Sequence, residues 1–143
     1  MARPPLVPAQ PPATRPTLSL RIDLSGGRRF GPGKAALLRH VAAEGSIAAA
    51  GREMGMSYAR AWRLIEAMNG DFAERLVTRQ TGGSGGGGAV LTEAGLKVLA
   101  AYDAALAAAS AAAADAAAMI ADLAGPAVEA PDTAVIPAPE RDS

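Results

Sequence analysis

The stretch that decides the fold runs from Gly45 to Asn69 and reads GSIAAAGREMGMSYARAWRLIEAMN. Two short helical patterns flank a break at Gly55. Ser46 and Ser57 precede them and are predicted to be N-caps, because a serine hydroxyl accepts a hydrogen bond from a backbone N–H of the first turn. Apolar residues at helical spacing are expected to face the core: Ile47, Ala50 and Met54 in the first helix, and Ala61, Leu64, Ile65 and Met68 in the second.

The opposite face of the second helix carries Tyr58, Arg60 and Arg63. One helix held by its apolar face and offering polar side chains outward is the pattern of a helix-turn-helix, whose recognition helix enters the DNA major groove. The two arginines are also compatible with a solvated surface. Their neighbours Ser57 and Tyr58 favour contact with bases or phosphates.

Secondary-structure signals precede this motif. Residues 18–24 alternate apolar and polar side chains, which predicts a strand with Leu18, Leu20, Ile22 and Leu24 on one face. A turn at Gly26-Gly27 and the segment Gly31-Pro32-Gly33 lead into a predicted helix over 34–44, with Leu37, Leu38 and Val41 inward.

Two short predicted strands follow the motif, Leu76–Arg79 and Ala89–Leu91. The glycine-rich loop 81–88 lies between them, and its few side chains let the backbone approach a phosphate strand closely. Two strands joined by a loop directly after a helix-turn-helix form a wing. Trp62 is expected to pack between the recognition helix and this wing, since tryptophan is mostly buried.

A long helix is predicted over 92–124, with Thr92 as N-cap and Gly125-Pro126 as its stop. Apolar residues recur along it at alternating spacings of three and four, which is a heptad seam suited to dimerisation. The larger seam residues are Leu99, Tyr102, Leu106, Ile120 and Leu123. Because this helix is rich in alanine, several heptad registers are compatible with its sequence.

Charge is unevenly distributed, although the net charge is zero. Residues 15–97 hold 12 Arg or Lys against 7 Asp or Glu, and residues 98–143 hold 1 against 7. A basic body with an acidic end suits a module that binds a polyanion. The expected organisation is a disordered Pro-rich tail (1–16), a winged helix-turn-helix domain (17–91), a dimerisation helix (92–124) and a disordered acidic tail (125–143).

Several classes of function are disfavoured. There is no cysteine, which excludes disulfides and thiolate metal sites. Phosphate-binding look-alikes at 27–34 and 83–88 have the wrong spacing or context, and His40 has no predicted catalytic partner. The longest uncharged run of the alanine-rich helix, 104–114, is too short to span a bilayer. We therefore expect no enzyme activity, no cofactor or metal, no membrane segment and a cytoplasmic location.

These motifs together resemble the N-terminal DNA-binding domain of the ModE-type molybdate-responsive regulators. The matching residues are Phe30-Gly-Pro-Gly-Lys34, Gly45-Ser-Ile47, Met56-Ser-Tyr58, Ala61-Trp62, Met68-Asn69, 81–89 and Leu91-Thr92. A looser resemblance connects the chain with LysR-type winged helices. The ModE resemblance implies a mainly α fold with a small β wing, a winged helix-turn-helix that dimerises through its long C-terminal helix.

The resemblance covers only the DNA-binding part of that family, about residues 18–105. Full-length members carry C-terminal oxyanion-binding domains for molybdate or tungstate, and this chain ends at Ser143. Ser84 also stands where the wing often has a basic residue, for which Arg79 is expected to compensate in part. Molybdate sensing is therefore not implied. The alternatives are a constitutive repressor, a partner of a separate oxyanion-sensing protein, and a sensor of another signal.

The leading hypothesis is a sequence-specific regulator that binds a palindromic operator as a homodimer. The alternatives are a nonspecific architectural DNA-binding protein and a winged-helix module for protein contacts. For Arg28, Arg29 and Lys34, phosphate anchoring and an ordinary basic surface stay equally open. The predicted DNA contacts are Ser46, Ser57, Tyr58, Arg60, Arg63, Arg28, Arg29, Lys34, Arg79, Gly83, Ser84, Gly85 and Gly86.

Overall fold

The computed structural model describes residues 15–80 and 87–126, which form four α-helices and two two-stranded antiparallel sheets. In chain order the elements are β1 Ile22–Asp23, β2 Arg29–Phe30, α1 Pro32–Glu44, α2 Ile47–Glu53, α3 Tyr58–Asp71, β3 Val77–Gln80, β4 Gly88–Leu91 and α4 Glu93–Ala124. Residues 17–114 group into one compact unit, and residues 115–124 fall outside it and continue α4 as helix. The architecture is the predicted winged helix-turn-helix, mainly α with a small β wing.

The helix-turn-helix consists of α2 and α3, and both predicted caps are confirmed. The Ser46 hydroxyl oxygen accepts a hydrogen bond from the Ala49 N–H at 2.9 Å, and that of Ser57 accepts one from the Arg60 N–H at 3.2 Å. Gly55 lies between the helices with a φ of 66°, a left-handed conformation that glycine adopts without steric cost. Two local signals, a cap and a glycine, therefore set where each helix begins and where the chain turns.

The core lies where α1, α2 and α3 meet the wing. The predicted inward residues Leu37, Leu38 and Val41 of α1 are at most 1% exposed. Ile65 and Met68 of α3 are buried to the same extent, whereas Leu64 is 37% exposed, so its predicted place in the core is wrong. The buried stripe of α3 is Ala61, Ile65, Met68 and Asn69, and Leu64 lies one position outside it, on the side of Arg60.

The predicted strand over 18–24 is much shorter in the structure. Only Ile22 and Asp23 form β1, which pairs with Phe30 and Arg29 of β2. Pro32 begins α1 two residues after β2 ends and has no N–H to donate, so β2 has no room to extend the ladder. Without a longer partner the alternating pattern has no sheet to join, and Leu18 and Ile22 remain more than a third exposed.

The wing consists of β3, β4 and the connection between them. Its register runs from Val77 opposite Leu91 to Gln80 opposite Gly88, which confirms the two predicted strands with shifts of one residue at their ends. The N–H of Ala89 also donates to the Gly45 oxygen at 2.9 Å, which joins β4 to the end of α1. Of the predicted wing contacts, Gly83, Ser84, Gly85 and Gly86 lie outside the described residues, as do nearly all of the two predicted tails.

The start of α4 is fixed tightly to the start of the wing. Thr92 caps the helix as predicted, because its hydroxyl oxygen accepts from the Gly95 N–H at 3.0 Å. The same hydroxyl donates to the Arg75 oxygen at 2.6 Å. A Cβ at Gly95 would lie 2.2 Å from the Leu76 oxygen, so only glycine allows the two backbones to come this close.

The seam residues predicted for α4 fall into two groups. Tyr102 is 3% exposed within the protomer, where its ring packs edge-on against Phe30 at 5.2 Å and its hydroxyl donates to the Leu20 oxygen at 2.8 Å. Leu99 and Leu106 are partly buried against the same core. Ile120 and Leu123 are instead 69% and 82% exposed. The structure thus places Tyr102 in the core of its own chain, where its side chain is not offered to a second copy.

By length and composition α4 is the one helix among residues 15–80 and 87–126 that could cross a bilayer, with a window of mean hydropathy 1.6. One helix of this length and hydropathy is weak evidence for a membrane span. Most of the hydropathy of α4 comes from alanine. Asp115 interrupts the apolar part of the helix. An Asp at the bilayer centre costs about 2.5–3.5 kcal/mol, whereas each Leu or Ile returns only about 0.3–0.6 kcal/mol. The composition of α4 therefore fits helix packing better than insertion.

Candidate nucleic-acid interface

The exposed face of α3 lies opposite its buried stripe. Ala59, Arg60 and Arg63 are all exposed there. The Arg63 Nε donates to the Ala59 oxygen at 3.3 Å, so this guanidinium follows the helix surface. Ser57 directs its hydroxyl oxygen to the Arg60 N–H and thereby fixes the first turn on which these side chains stand. The face combines a rigid start with two arginines that point away from the core.

A hydrogen bond joins the recognition helix to the wing. Arg79 of β3 donates to the hydroxyl oxygen of Tyr58, the first residue of α3, at 2.7 Å. Tyr58 is 50% exposed. Two predicted contact residues that are 21 positions apart in sequence are therefore brought together at the surface.

Two depressions flank this pair. One is a cavity of about 150 Å³ lined by Ser46, Ile47, Ala48, Tyr58, Arg79, Gly87, Gly88 and Ala89. The other is an open groove of about 350 Å³ lined by Tyr58, Ala59, Trp62, Arg63 and Arg79. Trp62 borders the groove beside the wing residue Arg79 but is 37% exposed, so the expectation that it is mostly buried between helix and wing is wrong. The groove leaves the indole facing solvent.

The arginines and lysines differ in their partners. Within the described residues, five basic side chains form ion pairs: Arg21 with Asp23, Lys34 with Asp71, Arg39 with Asp103, Arg75 with Glu66 and Lys97 with Glu93. Among the same residues, no ion pair is formed by Arg60, Arg63 or Arg79, nor by Arg52 in the last turn of α2. Positive charge is thus left uncompensated on the helix-turn-helix and on the first wing strand.

A second basic group, Arg28, Arg29 and Lys34, lies at the other end of α3. The Arg28 guanidinium donates to the backbone oxygen of Ser25 at 2.7 Å and to the Ser25 hydroxyl oxygen at 2.8 Å. It also donates to the backbone oxygen of Asp71 at 2.8 Å. Lys34 donates to the Arg29 oxygen and lies 3.4 Å from the Asp71 carboxylate. Cations are favourable at a helix C-terminus. Arg28 and Lys34 therefore hold the β1–β2 turn to the end of α3, a structural role that neither of the two alternatives for these residues included. Arg29 is exposed.

Two further residues, which were not among the predicted DNA contacts, bear on this interface. Arg52 is exposed at the end of α2, the helix that crosses the DNA backbone in this motif. Asn69 is 6% exposed, and its side-chain oxygen accepts from the Leu76 N–H at 2.8 Å and the Val77 N–H at 3.1 Å. Its amide also donates to the Val77 oxygen at 3.2 Å. A polar residue on the buried stripe of α3 was the available signal for this link between helix and wing.

Several known proteins have sequences related to this chain. Residues 34–96 match the family described as bacterial regulatory helix-turn-helix protein, lysR family. The chain is 51% identical to the molybdenum-pterin-binding protein MopB of Rhodobacter capsulatus over 78 residues, which are 54% of this chain and 29% of MopB. It is 46% identical to the DNA-binding transcriptional dual regulator ModE of Escherichia coli (strain K12) over 72 residues, which are 50% of this chain and 28% of that regulator.

A third relative extends the match. The chain is 37% identical to the molybdenum transport protein ModE of Azotobacter vinelandii over 92 residues, 64% of this chain and 34% of the relative. The matched segment thus spans about a third of the length of these relatives. The family match over residues 34–96 includes most of α1, the helix-turn-helix, the wing and the start of α4. This chain therefore carries a winged helix-turn-helix domain that is similar to the corresponding segments of ModE and of the lysR family of bacterial regulators.

Proposed function

We propose that the protein is a sequence-specific DNA-binding transcriptional regulator that binds a palindromic operator as a homodimer. The observation that carries the proposal is the set of unpaired arginines on α2, α3 and β3, in a domain whose other described basic residues mostly have partners. Uncompensated positive charge on one surface attracts the phosphate backbone. Side chains on a capped recognition helix add the means to read bases.

In this proposal the first half of α3 lies in the major groove. The helix has 14 residues, so it is about 21 Å long, and its N-terminal residues are the ones that reach base edges in this motif. Arg60 and Arg63 are assigned to bases, since an arginine fork matches the two acceptors of guanine. Arg52 and Arg79 are assigned to phosphates, which position the protein without reading sequence.

Dimerisation is assigned to α4. Ile120, Leu123 and the neighbouring Met119 are 66–82% exposed on a helix that is otherwise rich in alanine. An apolar seam of this kind is stable only when a second helix covers it. Two copies related by a twofold axis would present two recognition helices to half-sites about 34–36 Å apart, which is the basis for a palindromic operator.

The names of the relatives support a link to molybdenum metabolism for this chain, as part of the proposal. Because the chain spans only about a third of those relatives, molybdate sensing does not follow from the match. A separate oxyanion-sensing protein is a partner that belongs to the same proposal. A cytoplasmic location, where the operator DNA is, belongs to the same proposal.

The test is recovery of bound DNA, first from a random duplex library in vitro and then genome-wide with a tagged protein. The proposal predicts that both select the same inverted repeat, and that the genomic sites lie near genes for molybdenum transport or molybdoenzymes. Binding without enrichment of any sequence would favour the architectural alternative. An enriched repeat far from such genes would leave the regulator in place and remove the link to molybdenum.

A further inference from the structure

The cavity beside the Tyr58–Arg79 pair has the chemistry of an anion site. Its lining residues are Ser46, Ile47, Ala48, Tyr58, Arg79, Gly87, Gly88 and Ala89, and none of them is acidic. Among the described residues that line it, Arg79 is the only charged one. A depression with one cation and two hydroxyls offers hydrogen-bond donors to an anion. Its described lining contains no carboxylate that would compete with the anion for those donors.

The donors of this cavity are largely unused within the described residues. Arg79 has five N–H donors, and one of them is bound to Tyr58 at 2.7 Å. The Tyr58 hydroxyl accepts that bond, and within residues 15–80 and 87–126 its own proton has no acceptor. Accepting from a guanidinium polarises the hydroxyl and makes it a better donor. The Ser46 hydroxyl likewise accepts from the Ala49 N–H and keeps its proton for another partner.

The size of the cavity selects among anions. Its volume is about 150 Å³. Sites for drug-sized molecules measure about 300–1,000 Å³, whereas one water occupies about 30 Å³ of liquid. The space therefore accommodates a tetrahedral oxyanion group and is smaller than a typical site for a drug-sized molecule.

We propose that the cavity between Ser46, Tyr58 and Arg79 is an oxyanion site that holds one phosphodiester of the DNA backbone. This inference rests on the proposed function, since it assigns the ligand to the operator duplex. A free oxyanion shares the chemistry, but a solvent-exposed site with a single cation holds it weakly, because water screens the interaction. A phosphodiester of bound DNA is held in place by the contacts of the recognition helix and the other arginines, so this site does not have to bind it alone. The Tyr58–Arg79 bond then couples the wing's phosphate contact to the first turn of α3.

The first arm of the test measures duplex binding against salt for wild type, Arg79→Met, Tyr58→Phe and the double variant. We expect Arg79→Met to reduce the salt slope by about one phosphate contact, a change of about 0.9. Tyr58→Phe should weaken binding by about three- to tenfold on specific and random duplexes alike, with the slope unchanged. In the Arg79→Met background Tyr58→Phe should have little further effect, because the two groups hold one phosphate. Arg75→Met, which removes a guanidinium paired with Glu66, is the control and should bind as wild type.

The second arm replaces DNA with inorganic phosphate and with molybdate, each titrated at constant ionic strength and followed by NMR at the Arg79 side chain and the Gly87, Gly88 and Ala89 amides. We expect shifts at millimolar anion that are lost in Arg79→Met. Micromolar molybdate binding that requires Arg79 would overturn the phosphodiester assignment and make the cavity a sensor of a free oxyanion.

Other outcomes separate this inference from the proposed function. If the variants keep the wild-type salt slope while the protein still prefers its selected site, the oxyanion site is wrong and the regulator stands. If the wild type binds no duplex, the proposed function fails and the phosphodiester assignment fails with it. Thermal melting of each variant checks that the substitutions, at exposed side chains, leave the fold intact.

Discussion

At the scale of single residues, the partners of the arginines separate structural from functional positions. Exposed ion pairs such as Arg39 with Asp103 or Arg75 with Glu66 contribute at most about 1 kcal/mol each. Their larger effect is to neutralise charge on those surfaces. Arg60 and Arg79 have no such partner among the described residues, so their positive charge stays available near the start of α3.

Arg28 is predicted to act in folding and not in DNA binding. Arg28→Ala removes two hydrogen bonds within the β1–β2 turn and one that joins this turn to the end of α3, so the free energy of unfolding should fall by about 1–2 kcal/mol. The salt slope of duplex binding should stay at the wild-type value. Urea denaturation and salt-dependent binding measure the two quantities, with Arg21→Ala as the control. A reduced slope at unchanged stability would restore Arg28 as a phosphate anchor.

Gly95 and Gly70 are predicted to respond to alanine with opposite signs. A Cβ at Gly95 would lie 2.2 Å from the Leu76 oxygen, so Gly95→Ala should destabilise the protein by about 1–3 kcal/mol. Gly70 lies in α3, and a Cβ added there would meet no atom within 4 Å, so Gly70→Ala should stabilise by about 0.5–1 kcal/mol through helix propensity. Thermal or urea unfolding measures both. Equal effects of the two substitutions would contradict the close approach of α4 to the wing.

At the scale of elements, the sequence predicts best where the cause of structure is local. Ser46, Ser57 and Thr92 act as caps within three residues of their partners, so their helices were predictable from short patterns. The strand over 18–24 was not, because its length depends on what pairs with it, and β2 is cut short by Pro32.

The candidate site was predictable in its residues and not in its contacts. The exposed arginines of α3 follow from helical spacing. The pairing of Tyr58 with Arg79, the structural use of Arg28 and the exposure of Trp62 depend on how β3 and the β1–β2 turn dock against α3. Spacing along one helix contains no information about those tertiary contacts.

Asn69 is predicted to hold the wing against the recognition helix. Asn69→Leu leaves the Leu76 and Val77 N–H groups without their side-chain acceptor, at a cost of about 1–3 kcal/mol for each donor that stays unsatisfied. Both amides should exchange with solvent faster, and affinity should fall on all duplexes because the wing is misplaced. Hydrogen exchange and binding measure this, with Glu66→Gln as a surface control. Unchanged protection of the two amides would refute the role.

At the scale of the whole molecule, two features bear on DNA binding and dimerisation: the uneven distribution of charge and the long helix α4. Basic residues dominate over 15–97 and acidic residues over 98–143, so the acidic part is repelled by DNA while the basic part is attracted. The C-terminal half of α4 is nearly free of large side chains except Met119, Ile120 and Leu123, which are exposed. A second copy of the helix is the partner that we propose for them.

The dimer is predicted to depend on the exposed end of α4. Two charges on the seam, in the variant Ile120→Glu with Leu123→Glu, should give a monomer at micromolar concentration, because a buried unpaired carboxylate is strongly unfavourable. The monomer should retain weak binding to a half-site. Sedimentation or light scattering measures the mass, and Ala118→Glu, at an exposed position off the seam, should remain dimeric. A wild-type protein that is monomeric at micromolar concentration would contradict the dimer proposal.

The central claim is that α3 reads DNA sequence, and the most direct measurement compares wild type with Arg60→Ala on the selected duplex and on a scrambled duplex of the same composition. The account predicts that Arg60→Ala loses about 1–3 kcal/mol on the selected site and much less on the scrambled one, so that the preference collapses. Arg75→Ala should behave as wild type on both. Equal losses on the two duplexes, or a wild type that does not distinguish them, would contradict the claim.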